Sequence, residues 1–352
     1  MKIAVIGFNT MIRMPYMRYY KRLLEAHGVV ADYYCWDRTE NGKTLRQDNV
    51  IDIKIRCGEG KIVKIFAMLK WRKKILQNLK REKYDKIIVL TTLPGVLLKK
   101  YLLKNYKGKY ILDVRDFTYD NIRAYQNAVK ELCDNSVKTF ISSPGFRQFL
   151  LSDNLMQIHN IDVERADYDA PDLDKNILTL GYIGLITYYR ACIRLMNDLA
   201  NSRYKLYFAG MYKDDFLQQY IDRNKLDYVE FSGKFESKDK STIYRNIDIV
   251  NCYYGITGES HKEYALPNRL YDAVYCKRPI LALNGTALAK IVKKYDIGIV
   301  VDESDDVKNA LDEYVEKFDK SKFCEGVARC VADIEKEQSE TEMVILEFAE
   351  GK

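Results

Sequence analysis

Short apolar runs rich in β-branched residues alternate along the chain with longer stretches in which apolar residues recur every three or four positions. The short runs are typical of strands buried on both faces, and the longer stretches are typical of helices with one apolar face. This alternation predicts βαβ units and mostly parallel sheets. The predicted strands are 2–8, 85–92, 109–116 and 138–143 in the first half, then 177–184, 205–210, 228–233, 247–254, 278–283 and 298–302.

The two series of strands predict an α/β protein with two Rossmann-like domains. We expect the boundary within 163–176, where acidic and turn-forming residues replace the apolar pattern. The first domain is predicted to span 1–165 and the second 175–332. The last stretch, 333–352, is charged with apolar residues at near-helical spacing, and we expect a terminal helix there that packs back toward the first domain.

Composition narrows the class of protein. A chain of 352 residues, 47% of them apolar, is long enough for two domains with buried cores. We expect a cytoplasmic protein, because the first residues lack the pattern of a signal peptide and no apolar window is long enough to span a membrane. The eight cysteines are scattered without a CxxC pair, which indicates reduced thiols, and the three histidines are too dispersed for a metal cluster. The net charge of +7 favours a phosphate-bearing ligand or anionic lipid over nucleic acid.

The strongest candidate site lies in the segment EYALPNRLYDAVYCKRPILAL, 263–283. Open parallel sheets bind ligands beyond the carboxyl ends of their strands. Pro267 suits the first turn of a helix whose free amides would point at a ligand, and Asn268 and Arg269 would lie beside its phosphate. Asp272, one turn later, is positioned to accept hydrogen bonds from two ribose hydroxyls. A simple surface pair between Arg269 and Asp272 would give the same spacing.

A second candidate is LGYIGLITYYR, 180–190, in which an apolar strand ends at Gly184 before an amphipathic helix. Glycine lets the backbone approach a diphosphate at a helix N-terminus. Arg190 would then neutralise charge on the leaving diphosphate. A plain turn at Gly184 is the alternative.

These stretches carry a family resemblance. Residues 272–279, DAVYCKRP, look like the nucleotide-binding helix of retaining GT-B glycosyltransferases of family 4, and PNRLYDA resembles the version in bacterial capsule and exopolysaccharide transferases. The stretch 229–251 is similar to the base-binding part of that family. The resemblance implies the GT-B fold, with two Rossmann-like domains facing each other across a cleft. The donor-binding residues that it implies are Gly184, Gly233, Lys234, Glu263, Pro267, Asn268, Arg269 and Asp272.

The chain departs from the family pattern at three places. Many members carry two glutamates with seven residues between them, whereas Tyr264 stands at the first position here, with Glu263 beside it. Arg190 alone stands where an Arg and a Lys are usual. Asp272 replaces a glutamate and reaches a ribose from a shorter arm.

In the first half, Asp116 follows a strand and is a candidate to accept a hydrogen bond from the attacking sugar hydroxyl. A buried ion pair of Arg115 with Asp113 or Asp116 is an equal alternative. The loop after Gly7 holds three candidates for acceptor or phosphate contact, with a simple strand-to-helix turn as the alternative. They are Asn9, Thr10 and Arg13.

The segment 60–83 combines basic residues with an apolar stripe, which is typical of a helix lying on anionic lipid. Trp71 stands among the basic residues, and the basic surface continues through 97–109. A domain helix with a solvated basic face explains the same pattern. The apolar positions are Ile62, Ile65, Phe66, Leu69, Leu76 and Leu79.

The function predicted from these features is transfer of a sugar from a nucleotide-sugar donor to a glycan or lipid-linked oligosaccharide acceptor, in capsule, exopolysaccharide or cell-surface glycan biosynthesis. The resemblance implies retention of anomeric configuration. No metal is indicated by the sequence and no cofactor is expected beyond the nucleotide-sugar donor. The basic stretch 60–107 predicts a peripheral contact at the inner face of the membrane. Asp167 and Asp169 form an Asp-x-Asp element, but in the predicted linker, so we interpret it as coincidence. The alternatives are a nucleotide-sugar epimerase or phosphorylase on the same scaffold, or a non-catalytic scaffold for polysaccharide assembly. NAD chemistry is disfavoured because neither half has GxGxxG after its first strand.

Overall fold

The chain forms two structural units, each built on a parallel sheet. The computed structural model describes residues 1–38, 48–116, 119, 122–161, 168–211, 215–236, 239–254 and 261–351. The first unit comprises Met1–His159 and Lys336–Lys352, and the second comprises Asn160–Glu335. The predicted boundary, 163–176, lies partly outside the described residues.

The first unit has a seven-stranded sheet in the order β3-β2-β1-β4-β5-β6-β7, with parallel pairing throughout. Its strands are β1 (Ile3–Ile6), β2 (Ala31–Asp37), β3 (Val50–Lys54), β4 (Lys86–Leu90), β5 (Tyr110–Val114), β6 (Lys138–Ile141) and β7 (Leu155–Gln157). Its first helices are α1 (Pro15–Ala26), α2 (Lys61–Glu82), α3 (Thr92–Asn105) and α4 (Arg123–Asn135), with short 3-10 helices at Met11–Arg13 and Pro144–Gln148.

The second unit has a six-stranded parallel sheet in the order β10-β9-β8-β11-β12-β13. Its strands are β8 (Leu178–Ile183), β9 (Tyr204–Ala209), β10 (Val229–Gly233), β11 (Ile249–Cys252), β12 (Ile280–Leu283) and β13 (Gly298–Val301). The helices that follow β8 onward are α5 (Tyr189–Asp198), α6 (Phe216–Asn224), α7 (Lys240–Arg245), α8 (His261–Tyr264), α9 (Asn268–Tyr275), α10 (Ala287–Tyr295), α11 (Val307–Glu316) and α12 (Lys320–Glu350).

The central strands are buried on both faces, as in other parallel sheets whose faces are covered by helices. Every residue of β1, with the sequence IAVI, is inaccessible to solvent, and so is nearly all of β12 with the sequence ILAL. The prediction of two Rossmann-like domains from such runs is confirmed.

Several elements differ from their prediction. Strands β2, β3 and β7 were not predicted, because they are aromatic, interrupted by charge or very short rather than runs of Val and Ile. Helix α3 begins with Thr-Leu-Pro-Gly, which resembles a turn, although proline is tolerated in the first turn of a helix. Helix α12 begins at Lys320 rather than near Asp333.

Helix α2 does not present the predicted stripe as a unit. Trp71 is fully buried and packs against Phe8 with ring centroids 4.8 Å apart, so its interpretation as an interfacial residue is wrong. The first half of α2 instead exposes Ile65 and Phe66, with relative residue accessibilities of 55% and 61%. Among the described helices, none is both long enough and apolar enough to cross a membrane.

Three neighbouring strands of the second sheet terminate at a glycine: Gly184 and Gly210 directly follow β8 and β9, and Gly233 is the last residue of β10. The N–H of Gly184 donates to Ala209 O at 2.8 Å, and that of Gly210 donates to Gly233 O at 2.7 Å. Gly210 has a φ of +145°, and a Cβ there would lie 1.8 Å from Gly184 O. The close approach of the backbone at residues 184 and 210 therefore requires glycine at position 210.

Gly210→Ala should lower the free energy of unfolding by roughly 3 to 5 kcal/mol, because the methyl group would clash with backbone and the φ is unfavourable for alanine. Gly233→Ala is the matched control, since Gly233 also has a positive φ, of +74°, but a Cβ there meets no atom within 4 Å. The control should cost about 1 to 2 kcal/mol. Thermal unfolding followed by circular dichroism compares them, and equal losses would contradict the close approach.

Candidate functional site

The second sheet has a topological switch point between β8 and β11, where the strand order reverses direction. Open parallel sheets bind ligands in the crevice outside the carboxyl ends of the strands at such a point. Gly184 follows β8 there with a φ of +124°, and Tyr253 and Tyr254 follow β11. The predicted donor residues on α9 come next in the chain after β11 and α8. The crevice is therefore bordered by both of the segments that sequence analysis singled out in this half.

The side chain of Arg269 joins the two strands of the switch point. Its guanidinium lies 3.7 Å from the ring centroid of Tyr182 on β8, and 4.9 Å from that of Tyr254. It donates one hydrogen bond to the carbonyl of Asn251 on β11 and another to the Tyr254 hydroxyl at 2.5 Å. Among the residues that the structure describes, no carboxylate forms an ion pair with this guanidinium. Its partners are two aromatic rings, a hydroxyl and a backbone carbonyl. A buried cation of this kind makes the crevice above it attractive to an anion.

Asp272 is buried on the same helix, with 3% of its surface exposed. Its carboxylate accepts hydrogen bonds from the Tyr244 hydroxyl at 3.1 Å and from Lys240 Nζ at 3.2 Å. Burial, and then the charge of Asp272, raise the pKa of Tyr244 well above its ordinary value, so Tyr244 remains a protonated donor. The alternative of a surface pair between Arg269 and Asp272 is wrong, because both side chains are buried and each has other partners.

The remaining donor candidates lie on strand ends and first turns. Pro267 is the N-cap residue of α9 rather than part of its first turn, and Asn268, the first helical residue, is exposed. Glu263 lies in α8 and is half-buried. Exposed Arg190 lies in the first turn of α5, close in sequence to Gly184.

Gly233 and the exposed Lys234 stand at the end of β10, which is an edge strand. The structure does not bring them to the switch point, because β9 lies between β10 and β8. They lie at the same carboxyl edge as Gly184, and Gly210, after the intervening strand β9, lies between them. Gly210 was not among the residues predicted from the sequence. The sequence does contain a pattern that points to Gly210, since a glycine occurs at the end of three consecutive strands.

The first sheet has its own switch point, between β1 and β4. Asn9, Thr10 and Arg13 follow β1 in the loop and 3-10 helix there. The side-chain oxygen of Asn9 accepts a hydrogen bond from the N–H of Thr10 at 3.0 Å. The backbone carbonyl of Asn9 accepts one from the N–H of Trp36 at 3.1 Å. Arg13 is exposed. The predicted acceptor loop is thus anchored by its backbone and by one side chain, with its arginine open to solvent.

The alternatives for Arg115 are decided by a bidentate ion pair. Arg115 Nε lies 2.7 Å from Asp113 Oδ1, and Nη2 lies 2.9 Å from Oδ2. Asp113 is fully buried, and 5% of the Arg115 side chain is exposed. Burial would lower the pKa of Arg115, but the Asp113 carboxylate outweighs burial and raises it. Asp116 follows as an exposed residue at the same edge, two strands from β1.

The metal-ligand element predicted as coincidental is only partly described, because Asp167 lies outside the described residues. The carbonyl of Asp169 accepts a hydrogen bond from Arg278 Nη1 at 2.6 Å.

No family model matches the chain, and no curated protein matches it in sequence. Among solved structures, the sucrose-phosphate synthase of Thermosynechococcus elongatus is similar over 100% of both chains, with a TM-score of 0.77 and 14% identity. HepE of Anabaena, in complex with UDP and glucose, covers 100% of this chain and 99% of its own, with a TM-score of 0.69 and 13% identity. The lipopolysaccharide outer core galactosyltransferase WaaB covers 97% and 99%, with a TM-score of 0.66 and 13% identity.

The chain has the GT-B fold. At identities this low, the likeness establishes the architecture and not the substrate. In this GT-B fold the donor candidates gather at the carboxyl edge of the second sheet, and the acceptor candidates gather at the corresponding edge of the first.

Arg38 is a cation at the first edge that sequence analysis missed. It follows β2, lies 4.5 Å from the ring centroid of Trp36 and donates a hydrogen bond to Phe8 O at 2.9 Å. Burial, together with the positive charge of Arg13, lowers the pKa of Arg38. Arg13 and Arg38 therefore make this edge suited to an anionic group. A lone arginine after an unpredicted strand gave no signal in the sequence.

Thr91 is a second residue that was missed. It follows β4 with φ 72° and ψ 160°, a conformation that is essentially restricted to glycine. Its N–H donates to Asp113 O at 2.7 Å. Strain of this kind clusters at functional sites, so Thr91 joins the candidates at this switch point of the GT-B fold.

Arg115→Met should lower the free energy of unfolding by about 3 to 5 kcal/mol, because it leaves the Asp113 carboxylate buried without its cation. The double variant Asp113→Leu/Arg115→Met should lose much less, since no charge remains uncompensated. Arg13→Met is the control for loss of an exposed arginine and should change stability by about 0.5 kcal/mol or less. Urea denaturation measures the free energy of unfolding of all three. If Arg115→Met loses no more of it than Arg13→Met, the ion pair is not buried as described.

Proposed function

We propose that the protein is a glycosyltransferase that moves a sugar from a nucleotide-sugar donor to a glycan acceptor. The observation that carries the proposal is the crevice at the β8–β11 switch point, where Arg269 supplies a fixed positive charge beside the start of α9. Nucleotide diphosphates bind where free helix amides and a fixed cation meet. Solved structures with the same fold were determined with UDP and glucose, and with UDP-2-fluoro glucose.

The donor diphosphate would bind near Gly184, whose lack of a side chain leaves the backbone accessible, and at the start of α9 by Pro267 and Asn268. Asp272 would accept hydrogen bonds from the ribose hydroxyls, sharing its carboxylate with Tyr244 and Lys240. Glu263 would lie on the sugar side of the helix, and Gly233 and Lys234 would border the base. These roles follow the family resemblance and the position of each residue at one sheet edge.

Catalysis would depend on the leaving diphosphate. Arg190, exposed in the first turn of α5, would stabilise the negative charge that develops as the bond between sugar and diphosphate breaks. The resemblance implies retention of anomeric configuration, with the diphosphate assisting deprotonation of the acceptor and no metal required. Asp116 would hold the acceptor hydroxyl, and Asn9, Thr10 and Arg13 would position the acceptor.

The acceptor that we propose is a lipid-linked oligosaccharide, as in capsule or exopolysaccharide biosynthesis. Arg13 and Arg38 at the acceptor edge fit an anionic linkage group. The first half of α2 supports a lipid contact through an exposed apolar patch, Ile62, Val63, Ile65, Phe66 and Leu69. Apolar residues exposed together beside lysines are typical of a helix that lies at a charged membrane surface.

An activity assay tests the proposal. The protein is incubated with UDP-, GDP- and dTDP-sugars, with and without a lipid-linked sugar acceptor. We expect slow hydrolysis of one donor that the acceptor accelerates. Isomerisation of the donor would indicate an epimerase, and failure to bind any nucleotide sugar would favour a non-catalytic scaffold.

Asp272→Asn should weaken nucleotide binding by roughly 1 to 3 kcal/mol, because the neutral amide is a poorer acceptor for the ribose hydroxyls. Asparagine keeps the size of the side chain and can still accept from Tyr244, which limits damage to the fold. Tyr244→Phe is the control, since it removes one partner of Asp272 but leaves the carboxylate. Titration calorimetry with the preferred nucleotide measures both, and unchanged affinity for Asp272→Asn would remove this residue from the site.

Ile65→Ser/Phe66→Ser should weaken binding to anionic vesicles, because each exposed side chain contributes roughly 1.5 to 3 kcal/mol when it is fully buried in lipid. Lys70→Gln/Lys73→Gln/Lys74→Gln should also weaken vesicle binding, and the loss should be larger at low salt than at high salt. The reason is that charges are screened over about 8 Å at physiological ionic strength. Met343→Ser, at a residue 58% exposed on α12, is the control for loss of an exposed apolar side chain. Vesicle co-sedimentation measures binding, and a protein that ignores anionic vesicles at low salt has no such contact.

A further inference from the structure

A cavity of about 990 Å³ lies in the first unit at the amino ends of its strands. The C-terminal parts of α2 and α3 border it, together with the starts of β4 and β5. In a parallel sheet this edge is opposite the carboxyl edge that holds Asn9, Thr10 and Arg13. The cavity is therefore separate from the residues assigned to the acceptor.

The lining of this cavity is strongly basic. It includes one carboxylate, that of Asp85, and seven basic side chains. The basic residues are Arg72, Lys80, Lys83, Lys86, Lys100, Lys104 and Lys109. None of them forms a salt bridge with any residue that the structure describes. The neighbouring Glu82, at the end of α2, is already paired with Lys2 at 2.7 Å.

Helix dipoles do not account for this excess of charge. Basic residues are favoured at helix C-termini, and both α2 and α3 end at the cavity. Each C-terminus is equivalent to about −0.5 of an elementary charge, so the two helices supply about −1 together. With Asp85 this compensates a small part of seven cations. Their mutual repulsion is relieved when a multiply charged anion binds.

Parts of the wall are held in place before any ligand binds. Arg72 Nε donates to Leu97 O at 2.7 Å, which fixes the plane of the guanidinium. Lys86 donates to the carbonyl of Phe348, and burial lowers the pKa of Lys86. The Tyr106 hydroxyl donates to Tyr84 O at 2.9 Å. Two of the seven cations and the tyrosines are therefore held in place before a ligand binds, which lowers the cost of ordering this part of the site.

We propose that this cavity binds a ligand that carries at least two phosphate groups. Lysine ammonium groups bind phosphate as point charges, and arginine adds planar donors. A cavity of this size is at the upper end of the range for small-molecule sites, so it accommodates more than a single phosphate. A soluble polyphosphate and a lipid diphosphate share this chemistry. The proposal does not rest on the proposed donor and acceptor sites, since none of these residues is assigned to either, although most of the basic residues belong to the segments 60–83 and 97–109 predicted to lie on anionic lipid.

Titration calorimetry with inorganic tripolyphosphate tests the site on the full chain. Lys100→Gln/Lys104→Gln removes two exposed cations of α3 and should raise the dissociation constant roughly tenfold or more, since each charge-assisted hydrogen bond is worth about that factor. Lys205→Gln/Lys225→Gln removes the same charge from exposed positions in the second unit and should change it less than about twofold. Melting followed by circular dichroism confirms that both variants fold.

A second arm distinguishes the source of the phosphates. Vesicles with a polyprenyl diphosphate are compared with phosphatidylserine vesicles of matched surface charge. A loss in Lys100→Gln/Lys104→Gln that is confined to tripolyphosphate supports a soluble ligand, and one confined to diphosphate vesicles supports a lipid ligand. The proposal is overturned if neither probe binds saturably, or if both double variants lose affinity equally. Lys100→Gln/Lys104→Gln should leave the affinity for the preferred nucleotide unchanged, so failure of the donor site is recognised separately.

Discussion

Parallel pairing of the strands is the constraint on which the rest of each unit depends. Parallel neighbours need a crossover between them, so helices cover both faces of the sheet and the strands become apolar throughout. The carboxyl ends of all strands then lie at one edge of the sheet, where the chain can carry polar side chains without placing them in the core. In each unit some candidate residues follow the strands of the switch point, such as Asn9 after β1 and Gly184 after β8, whereas Asp116 and Lys234 follow strands farther along the same edge.

Charges buried near these edges are stabilised in two different ways. In the first unit Arg115 is neutralised by Asp113 in a bidentate pair, which holds both groups and leaves little net charge. In the second unit Arg269 is held by Tyr182, Tyr254 and a carbonyl, which orient the guanidinium without neutralising it. The first arrangement is suited to fixing structure. The second keeps a positive charge available to a ligand, which is why the donor proposal rests on it.

The sequence predicted what depends on local pattern. Continuous apolar runs such as β1 and β12 were found, as was the start of a helix at Pro267. The edge strand β3 and the helix that begins Thr-Leu-Pro-Gly were missed, because tertiary packing overrides weak local preference there. Spacing placed Arg269 and Asp272 on one helix but could not give the direction of burial, since the rings around Arg269 come from distant strands. The same limit applies to Trp71, which a helical pattern alone could not assign to the core.

Both tryptophans of the chain are in the first unit, and they form one cluster. Trp36 and Trp71 have ring centroids 6.1 Å apart, and Phe8 packs against both, at 4.6 Å and 4.8 Å. Phe8 is followed directly by Asn9, whose carbonyl accepts from the backbone of Trp36. The tryptophan fluorescence of this protein therefore originates beside the loop after β1, and selective excitation of tryptophan reports on that loop without a tryptophan signal from the second unit.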